Sequence, residues 1–187
     1  MALKLKIITG STRPGRVGPT IAAWAAEAAK AHEGFEVESV DLADINLPLL
    51  DEPAHPAAQQ YTHEHTKRWS AIIGDADAFV FVTPEYDYFA PASLINAIQV
   101  LYREWNYKPA GVISYGGVSG GLRASQTLRE LLSTVGVVGL PQVVPVPFFP
   151  EFIGDDGVFS ANDKVKEGAT LMFGELIKWG TALKTIR

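Results

Sequence analysis

Three short segments concentrate the side chains able to bind or transform a ligand. The first is Gly10-Ser-Thr-Arg-Pro-Gly-Arg-Val-Gly18, with two hydroxyls (Ser11, Thr12), two guanidiniums (Arg13, Arg16) and flexible glycines. Placed before a helix, it offers free backbone N–H groups and a positive helix end that favour an anion, while arginine adds forked charge-assisted bonds. That is the chemistry of a phosphate cradle, although a solvated turn with two surface arginines has the same composition. A P-loop needs Gly-x-x-x-x-Gly-Lys-Ser/Thr, but Arg16 and Val17 follow Gly15, so nucleoside triphosphate hydrolysis is not expected. A dinucleotide fingerprint needs Gly-x-Gly-x-x-Gly, but the glycines fall at 10, 15 and 18, and Asp41 matches only its ribose-binding acid. A mononucleotide phosphate fits better.

The second segment is Thr83-Pro-Glu-Tyr-Asp-Tyr-Phe-Ala-Pro91. Three aromatics in one loop provide a surface for a planar ligand, and equally a cap for the core or a subunit contact. The third, Ser114-Tyr-Gly-Gly-Val-Ser-Gly-Gly121, has glycines at 116, 117, 120 and 121, which let the backbone approach a flat ring or act as a hinge. Histidines stand at 32, 55, 63 and 65. No metal-ligand spacing accompanies them, and His63 and His65, two apart on a helix, would point in different directions.

Alternating strands and helices must position these segments. Leu3–Thr9, Glu36–Val40, Ala78–Thr83, Ala110–Tyr115 and Val143–Val146 read as strands. Helical patterns start at Pro19 (Ile21, Trp24, Ala25, Ala28 inward), span Thr62–Gly74, start again at Pro91 (Leu94, Ala97, Ile98, Leu101 inward), span Leu122–Val135 up to Gly136, and run from Asn162 onward. Asn46–Gln60 reads as a proline-rich surface loop. The expectation is a single α/β domain over 1–187, with a parallel sheet covered on both sides. In such sheets ligands bind beyond the carboxyl ends of the strands, where the three segments lie.

Composition excludes several classes. Among 187 residues, 47% are hydrophobic, the net charge is −5 and there is no cysteine. Disulfides, thiolate metal sites and cysteine nucleophiles are therefore excluded. The acidic pI of 5.4 argues against nucleic-acid binding. The early glycine at position 10 and the prolines at 145, 147 and 150 predict neither a secretory leader nor a membrane span, and a cytoplasmic protein is the expectation.

Gly10-Ser-x-Arg13, then Pro84-Glu-Tyr86, then Gly116-Gly-x-x-Gly-Gly-x-Arg123 resembles the NADPH-dependent FMN reductases of the flavodoxin-like superfamily, over about residues 3–147. The resemblance implies a five-stranded parallel sheet of order 2-1-3-4-5 within a three-layer sandwich. It implies FMN held at its phosphate by Ser11, Arg13, Arg16, Val17 and Gly18. Pro84, Glu85, Tyr86 and Asp87 would lie along the ring, with Gly116, Gly117, Ser119 and Gly120 at its other edge. NADPH would reduce the flavin, and a quinone, free flavin, azo dye or metal oxyanion would reoxidise it, with no side chain as general acid or base. Asp87 stands where the family usually has asparagine, Tyr88-Phe89 where a small residue often follows, and Ile95 where lysine is common. An ionised Asp87 near the ring would lower the flavin potential. Arg13, Arg16 and Arg123 are all candidates for a nicotinamide 2′-phosphate, without a basis for choosing among them.

On the helix from Pro91, Ile95, Val100, Tyr102 and Trp105 lie off the inward stripe, which predicts a second buried face and a homodimer or homotetramer. The main rival function is a flavodoxin-type electron carrier; a nicotinamide dehydrogenase without flavin and a structural domain with an empty pocket rank below it.

Overall fold

The computed structural model describes residues 2–187. Five strands, β1 (Leu3–Thr9), β2 (Phe35–Asp41), β3 (Ala78–Pro84), β4 (Pro109–Gly116) and β5 (Val138–Pro147), form one sheet. All pairings are parallel and the order is β2-β1-β3-β4-β5. Parallel neighbours need crossover connections, and these carry the helices: α1 (Gly18–Lys30), α2 (Leu42–Ile45), α3 (Glu64–Asp75), α4 (Ala92–Gln99), α5 (Leu122–Thr134) and α6 (Asp163–Leu183). One apolar cluster joins the sheet to α1 and α6, and a second joins its other face to α3, α4 and α5. The sandwich is three-layered, as the resemblance implied. β3 is buried at every position, in keeping with its unbroken apolar run.

Four expectations need correction. The helix beginning after Pro91 ends at Gln99, and Arg103–Trp105 forms a separate 3₁₀ turn. The helical period therefore does not extend to Trp105, whose ring instead enters the core against Phe79 and Trp69 at 5.0 and 6.1 Å between centroids. Val100 and Trp105 are buried within the chain itself, so they no longer call for a partner subunit. β5 begins at Val138, not Val143; as an edge strand it tolerates Pro141, whose missing N–H hid the strand from the pattern. On α1 the buried stripe is Ile21, Ala22, Ala25, Ala26 and Ala29, while Trp24 is partly buried, edge-on to Phe159 at 5.4 Å.

The fourth concerns the histidines. His63 precedes α3 in an extended conformation, so helical spacing does not apply, and its ring stacks on His65 at 5.1 Å. The long loop before α3 is pinned, not loose. The half-buried Glu52 carboxylate accepts from Thr62 N–H and Oγ1 (2.7 and 2.9 Å) and His63 N–H (3.0 Å), bonds that outweigh its desolvation and hold its pKa down to about 2. Asn96 spans the loop from the other side, donating to Pro48 O (2.8 Å) and accepting from Leu50 N–H (3.0 Å).

At the amino end of β4, away from the three glycine- and aromatic-rich segments, Lys108 is buried and donates to Ile73 O and Gly74 O at 2.7 and 3.1 Å. It satisfies carbonyls at the end of α3 that the helix itself leaves open. Burial lowers its pKa to about 8, and the neutral amine still has an N–H for each carbonyl. Above that pH the folded chain releases a proton that the unfolded chain still holds, so this group makes stability rise with pH. Denaturant unfolding at about pH 8 and about pH 9.5 should show a gain on the order of 1–2 kcal/mol that Lys108→Met abolishes. An equal pH response in both proteins would contradict the assignment.

Candidate functional site

The loops leaving β1, β3 and β4 emerge together at the carboxyl edge of the sheet and surround a cleft of about 250 Å³. The first loop contributes Arg13, Gly15, Arg16 and Val17; Pro84, Glu85 and Tyr86 come from the second; Tyr115, Gly116 and Gly117 end β4. Phe149, from the turn after β5, completes the lining and meets Tyr115 edge-on at 5.4 Å.

The first loop is braced from within. Ser11 is fully buried, and its hydroxyl shares a hydrogen bond of 2.8 Å with the Tyr86 hydroxyl, tying the first loop to the second. Arg16 donates through Nη1 to Ser11 O (2.6 Å) and to Asp41 Oδ1 (2.5 Å). That hydrogen bond to Asp41 raises the guanidinium pKa further. Asp41 also caps α2 by accepting from Ala43 N–H at 2.9 Å, which gives this acid a structural occupation. Arg13 differs: it is exposed, and its guanidinium has no partner among the described residues. α1 starts at Gly18 with no side-chain cap and no acid in its first turn, so its positive end is not neutralised locally.

Gly18 serves close approach. A β-carbon there would lie 3.0 Å from both the Tyr115 hydroxyl and Thr9 Cγ2. The Tyr115 hydroxyl thus sits under the start of α1, and no protein group among the described residues hydrogen-bonds to it. Burial pushes its pKa up, so it remains a donor. Sequence analysis missed Tyr115 and Phe149. The only signal for Tyr115 was its place at the end of an apolar strand, one residue before the glycine pair.

In the second loop Tyr86 and Phe89 exchange backbone hydrogen bonds of 2.9 and 3.0 Å. The two residues between them have positive φ, +48° at Asp87 and +75° at Tyr88. Such a turn favours Asn-Gly, and a bulky residue held there costs about 1–3 kcal/mol. Asp87 is exposed at the tip, outside the residues lining the cleft, whereas the Glu85 side chain turns inward and is 8% exposed.

The glycines divide by role. Nothing lies within 4 Å of a β-carbon built on Gly117, which lines the cleft, so its backbone is open to a ligand. Gly120 is buried with φ +58°, and a β-carbon would approach Pro147 N to 2.8 Å; packing explains it. Ser119 donates to Glu85 Oε2 at 3.0 Å instead of facing the cleft alone. Of the expected ligand residues, the structure brings Arg13, Arg16, Val17, Pro84, Glu85, Tyr86, Gly116 and Gly117 to one cleft, with Gly18 adjoining, and leaves Ser11, Asp87, Ser119 and Gly120 behind or beside it.

The donor set fits a flavin mononucleotide. A free guanidinium, an uncapped helix start and an unpartnered hydroxyl suit a phosphate, and Tyr86 with the open backbone of Gly117 in the same cleft suits a flat ring. Comparison with known proteins agrees. The model of the NADPH-dependent FMN reductase family matches residues 3–151. An NAD(P)H-dependent FMN reductase of Schizosaccharomyces pombe is 50% identical over 125 residues, 66% of this chain and 62% of the relative, so the match spans less than two thirds of that protein. Another, from Nectria sp, is 39% identical over 169 residues, 87% of this chain and 82% of the relative. The flavoenzyme NAD(P)H:(acceptor) oxidoreductase FerB of Paracoccus denitrificans shares the fold, with a TM-score of 0.73 over 97% of this chain and 98% of that one at 23% identity. With its motifs in order on three adjacent loops and the family model covering most of its length, this chain belongs to the NADPH-dependent FMN reductase family.

Proposed function

We propose that the protein is an NAD(P)H-dependent FMN reductase that passes electrons to a small planar acceptor such as a quinone, a free flavin or an azo compound. The observation that carries this reading is the cleft itself: one end offers Arg13 and the uncapped start of α1, the other Tyr86 with Gly116 and Gly117. FMN, when bound, supplies hydride acceptance from reduced nicotinamide and onward electron transfer. The chain's part is to bind, orient and exclude.

Arg13, the amides of Val17 and Gly18, and the Tyr115 hydroxyl take the phosphate end. Arg16 lends charge while its hydrogen bonds hold the loop in shape. Ser11 acts through the Tyr86 hydroxyl. Pro84, Glu85 and Tyr86 line the ring end side by side with Gly116 and Gly117, and Ser119 and Gly120 fix the latter loop. Asp87, exposed at the tip of the same loop and without an ion-pair partner among the described residues, would act on bound FMN through its charge and not by contact in the cleft.

Among the described residues no helix is long and apolar enough to cross a membrane. A cytoplasmic setting, where reduced nicotinamide is available, fits this reading. So does a homodimer or homotetramer: beside the second loop, Phe89, Ile95, Leu128 and Leu131 line an apolar groove of about 360 Å³ between α4 and α5.

Titration with FMN, followed by quenching of flavin fluorescence, should give saturable binding at one site per chain. Absence of binding would refute the reading. Arg13→Ala should weaken FMN about tenfold and Tyr115→Phe about fivefold, each the loss of a hydrogen bond to an ionised group. Riboflavin, which lacks the phosphate, should bind both variants as it binds the parent protein; an equal loss for riboflavin would place these residues at the ring instead.

A further inference from the structure

The Glu85 backbone N–H donates to Tyr115 O at 3.1 Å, and its carboxylate turns to the neighbouring loop after β4 and the start of α5. Ser119 Oγ donates at 3.0 Å, and the backbone N–H groups of Arg123 and Ala124 at 3.1 and 3.4 Å. Arg123 Nε completes the set at 2.8 Å from Oε1. One carboxylate therefore ties the loop after β3 to the loop after β4 and to the open N–H groups at the start of α5. The same guanidinium continues onto the strained turn, its central carbon 4.1 Å from the centre of the Tyr88 ring. A planar cation over an aromatic face is attractive, and Arg suits it better than a compact ammonium. Tyr88 is otherwise 58% exposed, in a backbone conformation that its β-carbon disfavours.

We propose that Arg123 is a positioning residue: by gripping Glu85 and Tyr88 together, it holds the left-handed Asp87–Tyr88 turn and, through it, the placement of Tyr86 at the flavin ring. The consequence for catalysis rests on the flavin reading; the clamp itself does not. Released from Arg123, the turn relaxes toward right-handed backbone and Tyr86 moves with it, while Glu85 stays bonded to Tyr115 O. On this assignment Arg123 serves the turn and not a nicotinamide 2′-phosphate. Its replacement should therefore loosen the ring without altering the choice between NADPH and NADH.

The clamp is testable in flavin-free protein. Arg123→Gln should accelerate amide hydrogen exchange at Tyr86 and Phe89, the two amides of the turn, about tenfold while β1 amides are unchanged. In a Tyr88→Gly background, where glycine accepts the positive φ without help, the same substitution should change exchange less than about twofold. No acceleration at Tyr86 and Phe89, a uniform acceleration that includes β1, or an undiminished effect beside Gly at position 88 would overturn the proposal. With flavin, Arg123→Gln should raise the FMN and riboflavin dissociation constants together, about tenfold, and leave the NADPH-to-NADH ratio of kcat/KM unchanged. A selective loss of NADPH use would make Arg123 a phosphate ligand and contradict the clamp. Failure of the parent protein to bind flavin would overturn the functional reading alone, because the exchange result stands without it.

Discussion

Three adjacent strands, β1, β3 and β4, are closed in by helices on both faces and flanked by β2 and β5, so their backbone amides find partners within the sheet. Everything else follows from that demand. Parallel pairing in register brings Thr9 beside Val82 and Pro84 beside Tyr115, so the chain leaves all three strands at one edge and at nearly one height. The connecting helices occupy the faces, which leaves irregular backbone at the strand ends, this edge among them. A ligand site is the expected outcome of such an arrangement, and the loop composition decides which ligand.

Charge is distributed across the edge with economy. Two of the three arginines near the cleft neutralise acids of the same fold, Arg16 with Asp41 and Arg123 with Glu85. Both pairs join segments distant in sequence, and both brace loops that would otherwise be free to move. Of these three, among the described residues, Arg13 has no acidic partner. The paired arginines thus brace the loops around it. Rigid placement of a few polar groups around a mostly apolar slot is what a cofactor site needs.

The sheet was legible in the sequence because its central strands are apolar runs, with glycine-containing turns after β1 and β4 and a proline-bounded loop after β3. The first phosphate loop was legible because its residue types have few other uses in that order. What escaped had physical reasons. Trp105 was read as part of a helix because its spacing fitted, yet tertiary packing against Trp69 and Phe79 took it elsewhere. His63 was read on a helix that begins one residue later. Gly117 and Gly120 look alike in sequence, but only one faces open space. Tyr115 and Phe149 come from a strand end and a late turn, and nothing local says that both reach the cleft. The partners of Arg16 and Arg123 lie 25 and 38 residues away, beyond any spacing rule.

The central claim is that this edge holds FMN in reach of reduced nicotinamide and then of an acceptor. Anaerobic stopped-flow absorbance tests it most directly: FMN-loaded protein is mixed with NADPH, and a quinone is added afterwards. The account predicts that the flavin band bleaches within seconds and returns on quinone addition. A bound flavin that stays oxidised in excess NADPH would contradict it and leave the protein an electron carrier.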